Sequence, residues 1–240
     1  MSLLEVRGLA KRFGGLQAVK DLSFSVGDGE VVALIGPNGA GKTTVFGLVS
    51  GFVEADAGEI TFRGRAIRGL PPHAINALGM ARTFQIMRPF PRLSVVRNVM
   101  IGALGRHPHP ADAEARARAV LDDVDLSAKA ALPAGGLTLA ERKRLELARA
   151  LATEPVLLLL DEVMSGLNVS ETERIVELVR AINARGIAIL LIEHVMRAVM
   201  SLASRIVVLN YGERIAEGRP EAVASDRRVI EAYLGEEPDS

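Results

Sequence analysis

Apolar positions along this chain follow three successive patterns, and each predicts a different kind of element. In the first part, Leu3–Arg7, Leu22–Val26 and Val31–Ile35 read as short strands, with a turn at Gly27-Asp28-Gly29 between the second and third. Glu59–Phe62 reads as a further strand ahead of a turn at Arg63-Gly64-Arg65, and a short helix follows Pro71-Pro72 and stops at Gly79. From Ile86 to Leu151 the pattern turns helical. Ala111–Val124 is rich in Ala, Arg and acidic residues, after a loop at Arg106-His107-Pro108-His109-Pro110. Thr138 with Glu141 forms a capping box that opens a helix running to about Ala152. In the last part, Val156–Leu160, Ile187–Ile192 and Arg205–Leu209 are unbroken apolar runs, as expected of strands buried on both faces. Ser170 with Glu173 reads as the capping box of a helix ending near Gly186, and Asn210-Tyr211-Gly212 turns into a strand at Glu213–Glu217. Strands alternating with helices predict an α/β fold with a mostly parallel sheet. The N-terminal strands read as antiparallel, and the helical stretch lies between the two halves.

Between Val31–Ile35 and the helical pattern Thr43–Val49 lies Gly36-Pro37-Asn38-Gly39-Ala40-Gly41-Lys42-Thr43, which fits G-x-x-x-x-G-K-[ST]. Glycines let the backbone curl so that successive N–H groups converge on phosphate oxygens. The following helix adds the positive end of its dipole. Lys42 would then reach the β- and γ-phosphates, and the Thr43 hydroxyl would hold Mg²⁺. A plain glycine turn before a helix is the alternative, and the strand in front counts against it.

Other chemistry sits at strand ends. Asp161 and Glu162 close the run Leu157–Leu160, the edge at which open α/β sheets bind ligands. Asp161 is placed to support Mg²⁺, and Glu162 to orient or deprotonate a water. Glu193-His194 closes Ala188–Ile192, where a histidine is able to bond a γ-phosphate. Gln85 ends Ala81-Arg82-Thr83-Phe84, and an amide there is able to contact Mg²⁺ or the attacking water. Surface acids, a structural histidine and an ordinary surface glutamine are the competing readings.

Composition narrows the class. In 240 residues, 49% are hydrophobic, enough for a substantial core. Lys+Arg and Asp+Glu both number 29, and with two Tyr, seven Phe and no Trp nothing favours nucleic acid as a partner. Without cysteine there is neither a disulfide nor a thiolate metal site. The start, Met1-Ser2-Leu3-Leu4-Glu5, has no apolar leader, and the apolar runs are far below the ~20 residues that span a bilayer. A membrane role is therefore expected to work through a partner.

Together these residues resemble the ATP-binding subunit of an ABC transporter, over nearly the whole chain. Gln85 matches that family's glutamine loop, Asp161-Glu162 its metal-binding and catalytic strand end, Ser165-Gly166-Leu167-Asn168 its D-loop and His194 its switch histidine. Phe13, in Lys11-Arg12-Phe13-Gly14-Gly15, matches the aromatic that stacks on adenine. The competing reading is a core Phe. Leu137-Thr138-Leu139-Ala140-Glu141 stands where the family has Leu-Ser-Gly-Gly-Gln, so Thr138 keeps a hydroxyl while Ala140 and Glu141 depart. Val195 stands where relatives often have Asp. The resemblance implies a P-loop NTPase (RecA-like) core with an antiparallel β subdomain over residues 1–85 and 154–240, and a helical signature subdomain over 86–153.

It also implies Gly36 through Gly41, Lys42, Thr43, Thr44, Phe13 and Thr138 as ATP contacts. Thr43, Gln85 and Asp161 would hold Mg²⁺, and Glu162, His194 and Gln85 would serve catalysis. Arg82-Thr83-Phe84-Gln85, Arg144-Leu145-Glu146-Leu147-Ala148-Arg149 and Ala232-Tyr233-Leu234-Gly235-Glu236 resemble the subfamily that powers branched-chain amino acid uptake. Urea, amide and short-peptide importers and the ATPase of lipopolysaccharide export share much of this wording. The implied partners are a second ABC ATPase, homo or hetero and head to tail, transmembrane permeases and, indirectly, an extracytoplasmic solute-binding protein. The implied location is cytoplasmic, peripheral on the inner face of the membrane. A soluble ABC ATPase of DNA repair or translation, a non-hydrolysing nucleotide module and a small P-loop kinase are the other readings.

Overall fold

Two strands joined by Gly14 and Gly15 begin the chain, β1 (Ser2–Phe13) and β2 (Leu16–Gly27). The computed structural model describes residues 2–84 and 89–234. It continues with β3 (Val31–Ile35), α1 (Lys42–Val49), β4 (Ala57–Phe62), β5 (Arg65–Ala66), α2 (Pro72–Ala77), β6 (Met80–Arg82), α3 (Val95–Ala103), α4 (Pro110–Asp123) and α5 (Leu139–Leu151). Then come β7 (Leu157–Asp161), α6 (Val169–Asn183), β8 (Ala188–Ile192), α7 (Met196–Leu202), β9 (Arg205–Asn210), β10 (Glu213–Gly218), α8 (Pro220–Ala224) and α9 (Arg227–Leu234). The chain divides into two compact units, Met1–Ile75 with Ala188–Ser240, and Asn76–Ile187.

The first unit holds two kinds of sheet. Its antiparallel sheet has the order β2-β1-β4-β5. In the other, β3 is paired in parallel with both β8 and β9, and β10 runs antiparallel beside β9. Every residue of β3 and of β8 is buried, which explains their unbroken apolar runs. The β1–β2 hairpin extends well past the two short stretches the sequence pattern marks. Its outer part, around Lys11, Arg12 and Gln17, is held by the backbone ladder, and its register is broken at several points. Side chains there are largely solvated, so no apolar alternation records the pairing.

Arg205 ties these strands together. Its Nε and Nη2 donate to Glu30 Oε1 and Oε2, each at 2.8 Å, and Nη2 also donates to the Ser25 carbonyl at 2.8 Å. Nη1 pairs with Glu217. One guanidinium on β9 thereby joins the end of β2, the turn before β3, and β10. Burial alone would raise the Glu30 pKa, but the Arg205 bonds, the Gly27 N–H at 2.7 Å and the guanidinium charge hold it below the usual carboxylate range.

The second unit pairs β6 and β7 in parallel. The Thr83 N–H donates to the Leu159 carbonyl at 2.9 Å, which carries the pairing one residue past β6. Helix α3 packs on α4 and α5. A Cβ on Gly102 would meet the Arg149 carbonyl oxygen at 2.4 Å, so α3 and α5 approach at backbone distance. Buried Asn98 braces the entry to α3, accepting from Phe90 N at 2.8 Å and donating to the carbonyls of Phe90 and Ser94 at 3.1 and 3.0 Å. Thr138 caps α5 with Glu141 as the sequence suggests. The start of α6 differs from expectation: Asn168 and Glu171 form the capping box, two residues before Ser170 and Glu173. Asn168 Oδ1 accepts from Glu171 N at 2.9 Å, and Glu171 Oε2 accepts from Asn168 N at 3.0 Å. Asn competes well with Ser at this position.

Glu30→Gln is expected to destabilise the protein by about 1–3 kcal/mol at neutral pH, because it weakens bonds to a charged, half-buried partner. The folded-state pKa of Glu30 lies below its unfolded value, so its contribution is full above the unfolded value of about 4.3 and is lost as pH falls through the folded one. The gap between wild type and variant in thermal unfolding therefore closes below about pH 4. A gap that stays constant to lower pH would refute this assignment.

Candidate functional site

The loop after β3 is shaped by backbone lying directly on backbone. A Cβ on Gly36 (φ +151°) would stand 2.1 Å from the Leu209 carbonyl oxygen, and one on Gly41 (φ +100°) 2.4 Å from the Ala18 carbonyl oxygen. Only glycine fits at either position. The Gly212 N–H donates to the Ala40 carbonyl at 3.1 Å, and the Lys20 N–H donates to the Gly212 carbonyl at 2.8 Å. The loop is thus seated against β2 on one side and the β9–β10 turn on the other.

Its last glycine, Gly41, is also the N-cap of α1. No side chain caps this helix, and its first turn holds no acidic residue. A helix start leaves its first N–H groups without intrahelical partners and carries partial positive charge. This start is therefore suited to an anion. Lys42 Nζ donates to the carbonyls of Gly36 at 2.6 Å and Pro37 at 2.8 Å, so its ammonium lies over the loop. Pro37 and Ala40 are buried, Asn38, Gly39 and Thr43 are exposed, and Thr44 is half-buried.

Phe13 is the last residue of β1. Its ring is 49% exposed, which rules out the core reading, and Lys11 Nζ lies 5.4 Å from the ring centroid. His194 follows β8 and is exposed, while its neighbour Glu193 is buried. Val195 is the N-cap of α7 and offers no side-chain cap.

In the second unit, Asp161 ends β7 with 1% of its surface exposed. Its N–H donates to Thr83 Oγ1 at 3.1 Å, and Oδ2 accepts from Arg82 Nη2 at 2.9 Å. Oδ1 is buried and has no hydrogen-bond partner among the described residues. Burial pushes the carboxyl above its usual range, against the pull of Arg82. Glu162 takes φ +48°, a left-handed conformation uncommon for a side-chain-bearing residue. Its carbonyl accepts from Lys143 Nζ at 2.8 Å, and Lys143 is itself buried on α5. Sequence reasoning passed over both Arg82 and Lys143. Lys143 had a signal: it stands four residues before Leu147 on the apolar face of α5. Arg82 had none, since its partner is distant in sequence.

At the start of α5, Thr138 Oγ1 accepts from Glu141 N at 3.3 Å, and Glu141 Oε2 accepts from Thr138 N at 3.0 Å. Glu141 also pairs with Lys129 at 2.5 Å. That ion pair, ahead of the capping bonds, holds its pKa low despite partial burial. Leu139 packs 3.2 Å from where a Gly166 Cβ would lie. Gln85 lies outside the described residues.

Among the described residues no three His, Asp or Glu side chains gather as a metal cluster. The unpartnered Asp161 Oδ1 is an acceptor that a hard cation or its water ligand would satisfy. No helix among the described residues is long and apolar enough to cross a membrane.

Comparisons with known proteins cover the same segments. Residues 19–165 match the family described as ABC transporter, and residues 213–239 the family described as branched-chain amino acid ATP-binding cassette transporter. The chain is 42% identical to LivG of Salmonella typhimurium, a high-affinity branched-chain amino acid transport ATP-binding protein, over 98% of each. It is similar to the crystal structure of MJ1267 in its ADP conformation, an ATP-binding cassette of an ABC transporter. The TM-score is 0.90 with 32% identity, over 98% of this chain and 100% of that one. A dimeric post-hydrolysis structure of the cassette MJ0796, with ADP and Pi, shares the fold with TM-score 0.82 and 22% identity, over 90% of this chain and 98% of that one.

The bare N-cap of α7 gives a direct expectation. Val195→Asp places an acceptor and a negative charge where that helix has neither, and should stabilise the protein by about 1 kcal/mol. A variant that melts at or below the wild-type temperature would show that α7 has no use for the cap.

Proposed function

This chain belongs to the ABC transporter ATP-binding family, with the α/β P-loop NTPase fold of its relatives, and on that premise we propose that it energises an importer of branched-chain amino acids by binding and hydrolysing ATP. The observation that carries the solute class is the 42% identity with a branched-chain transport ATP-binding protein over 98% of both chains.

In this reading the loop Gly36 through Gly41 offers its backbone N–H groups, which Pro37 alone lacks, to the phosphates, and the uncapped start of α1 adds its dipole. Lys42 exchanges the Gly36 and Pro37 carbonyls for β- and γ-phosphate oxygens, and Thr44 adds a contact next to Thr43. Phe13 stacks its exposed ring on adenine. Thr43, Gln85 and Asp161 hold Mg²⁺, which when bound neutralises phosphate charge. Glu162 takes the proton of the attacking water, and His194 bonds the γ-phosphate. Thr138, at the head of α5, contacts the ATP bound to a second ABC ATPase subunit paired head to tail. ATP favours that closed pair, and hydrolysis releases it. Permease subunits take up the motion and hold the cassette at the inner face of the membrane. A solute-binding protein delivers cargo from outside. The helical stretch 86–153, with α5 and its cap, acts as the signature subdomain, and 1–85 with 154–240 as the core.

Two experiments test this. Glu162→Gln should lower ATP turnover by about two to four orders of magnitude and leave an ATP-bound dimer detectable by gel filtration. Turnover within a few-fold of wild type would remove Glu162 from the general-base role. Tagged chain purified from detergent-solubilised native membranes should bring with it polytopic permeases and a second ATPase. Recovery of the chain alone, or with nucleic-acid enzymes, would count against transport.

A further inference from the structure

Asp161 is already held by a cation that the chain itself provides. Arg82 ends β6 and Asp161 ends β7, and these strands are parallel neighbours. The Nη2–Oδ2 distance is 2.9 Å, with 10% and 1% of the two side chains exposed. The guanidinium carbon lies 5.4 Å from the centre of the Phe84 ring, which restricts where it can swing. Thr83, between Arg82 and Phe84, accepts from the Asp161 N–H. The carboxylate is therefore fixed from both its main chain and its side chain. Its two oxygens differ: Oδ2 is neutralised by Arg82, and Oδ1 is buried with no hydrogen-bond partner among the described residues.

We propose that Arg82 is a positioning residue that sets the Mg²⁺ requirement of the site, by sharing the Asp161 carboxylate and weakening its attraction for a metal ion that arrives without nucleotide. This rests on the ATP-hydrolysing reading. A carboxylate joined to a guanidinium presents little net charge, so a dication gains much less at Oδ1 than at a bare carboxylate. Mg²⁺ also gives up water reluctantly, and protein sites usually hold it by one or two carboxylates together with substrate phosphates. The pair therefore favours metal that comes with phosphate over metal alone. Without Arg82 the buried carboxylate lacks a compensating charge, so the metal-free protein weakens while the metal-loaded one does not.

The test is a Mg²⁺ titration of wild type, Arg82→Gln and Arg82→Lys at saturating ADP, read as thermal stabilisation without turnover, with a parallel titration of ATPase rate. Arg82→Gln should lower the half-saturating Mg²⁺ at least about fivefold, and its loss of melting temperature should be large without Mg²⁺ and small with it. Arg82→Lys keeps a charge but loses the planar fork, and should fall between. If Arg82→Gln does not fold, a drop of at least about twofold for Arg82→Lys carries the same conclusion. Equal half-saturation in all variants that fold, or a melting-temperature loss that is the same with and without Mg²⁺, would overturn the proposal and leave Arg82 a structural brace. Binding of a fluorescent ADP analogue to wild type, both in EDTA and with Mg²⁺, is the control. If wild type binds no nucleotide, the ATPase reading fails first and this inference with it.

Discussion

The loop from Gly36 to Gly41 depends on two carbonyl oxygens, those of Ala18 and Leu209, which come so close that no Cβ fits at Gly41 or Gly36. These contacts are made by backbone, not by side chains, so they set the loop's path without choosing its chemistry. The Ala40–Gly212–Lys20 hydrogen bonds extend the same seating. Strands β2 and β9 must therefore be held in fixed relation, and Arg205 provides that by bonding Ser25, Glu30 and Glu217 together. A fixed loop then delivers α1 with its start bare of caps and acids. The contrast with α5 and α6 is physical: both of those close their starts with a capping box, using N–H groups that α1 leaves for an anion.

The acidic strand end is built on a different logic. Asp161 is buried where an isolated charge is costly, and Arg82 lowers that cost without removing it. Glu162 takes a backbone conformation that few side-chain-bearing residues adopt, and the buried Lys143 bonds the carbonyl that this conformation presents. Helix α5 thus supports the strand end from its interior while its own start remains at the surface. One helix ties the backbone of the proposed base to the proposed nucleotide-contacting cap, through Lys143 at one point and Thr138 at the other.

Much of this was legible in the sequence wherever the cause is local. The Gly-rich loop, the Thr138–Glu141 cap and the doubly buried β7 and β8 all follow from spacing or from short apolar runs. The Asn168 cap was missed by two residues because Asn, Ser and Glu offer overlapping box patterns, and only the path of the chain chooses among them. The outer half of the β1–β2 hairpin was missed because its ladder involves few buried side chains. Arg82 and Lys143 were missed for a common reason. Each is a charged residue whose partner is far along the chain, Asp161 in one case and the Glu162 carbonyl in the other.

The departures at Leu137-Thr138-Leu139-Ala140-Glu141 look severe as a string, yet the structure limits what they change. A helix leaves its first N–H groups to be satisfied from outside. Here the capping box takes two backbone N–H groups, that of Glu141 and that of Thr138 itself. The N–H groups of Leu139 and Ala140, in the first turn, keep no intrahelical partner by geometry. The Glu141 carboxylate, the residue most opposed to an anion, is turned onto the Thr138 N–H and the Lys129 ammonium. Its charge is balanced at the point where it would repel phosphate. The Thr138 hydroxyl accepts one bond and still has its proton to donate. The altered motif therefore keeps the donors that an anion needs and changes mainly the surface around them, where Leu139 is 44% exposed beside Gly166. In the proposed pairing, a partner closing on this helix would meet an apolar side chain where glycine would have left bare backbone, so the departure would act first on the fit of that closure and only second on the binding of phosphate.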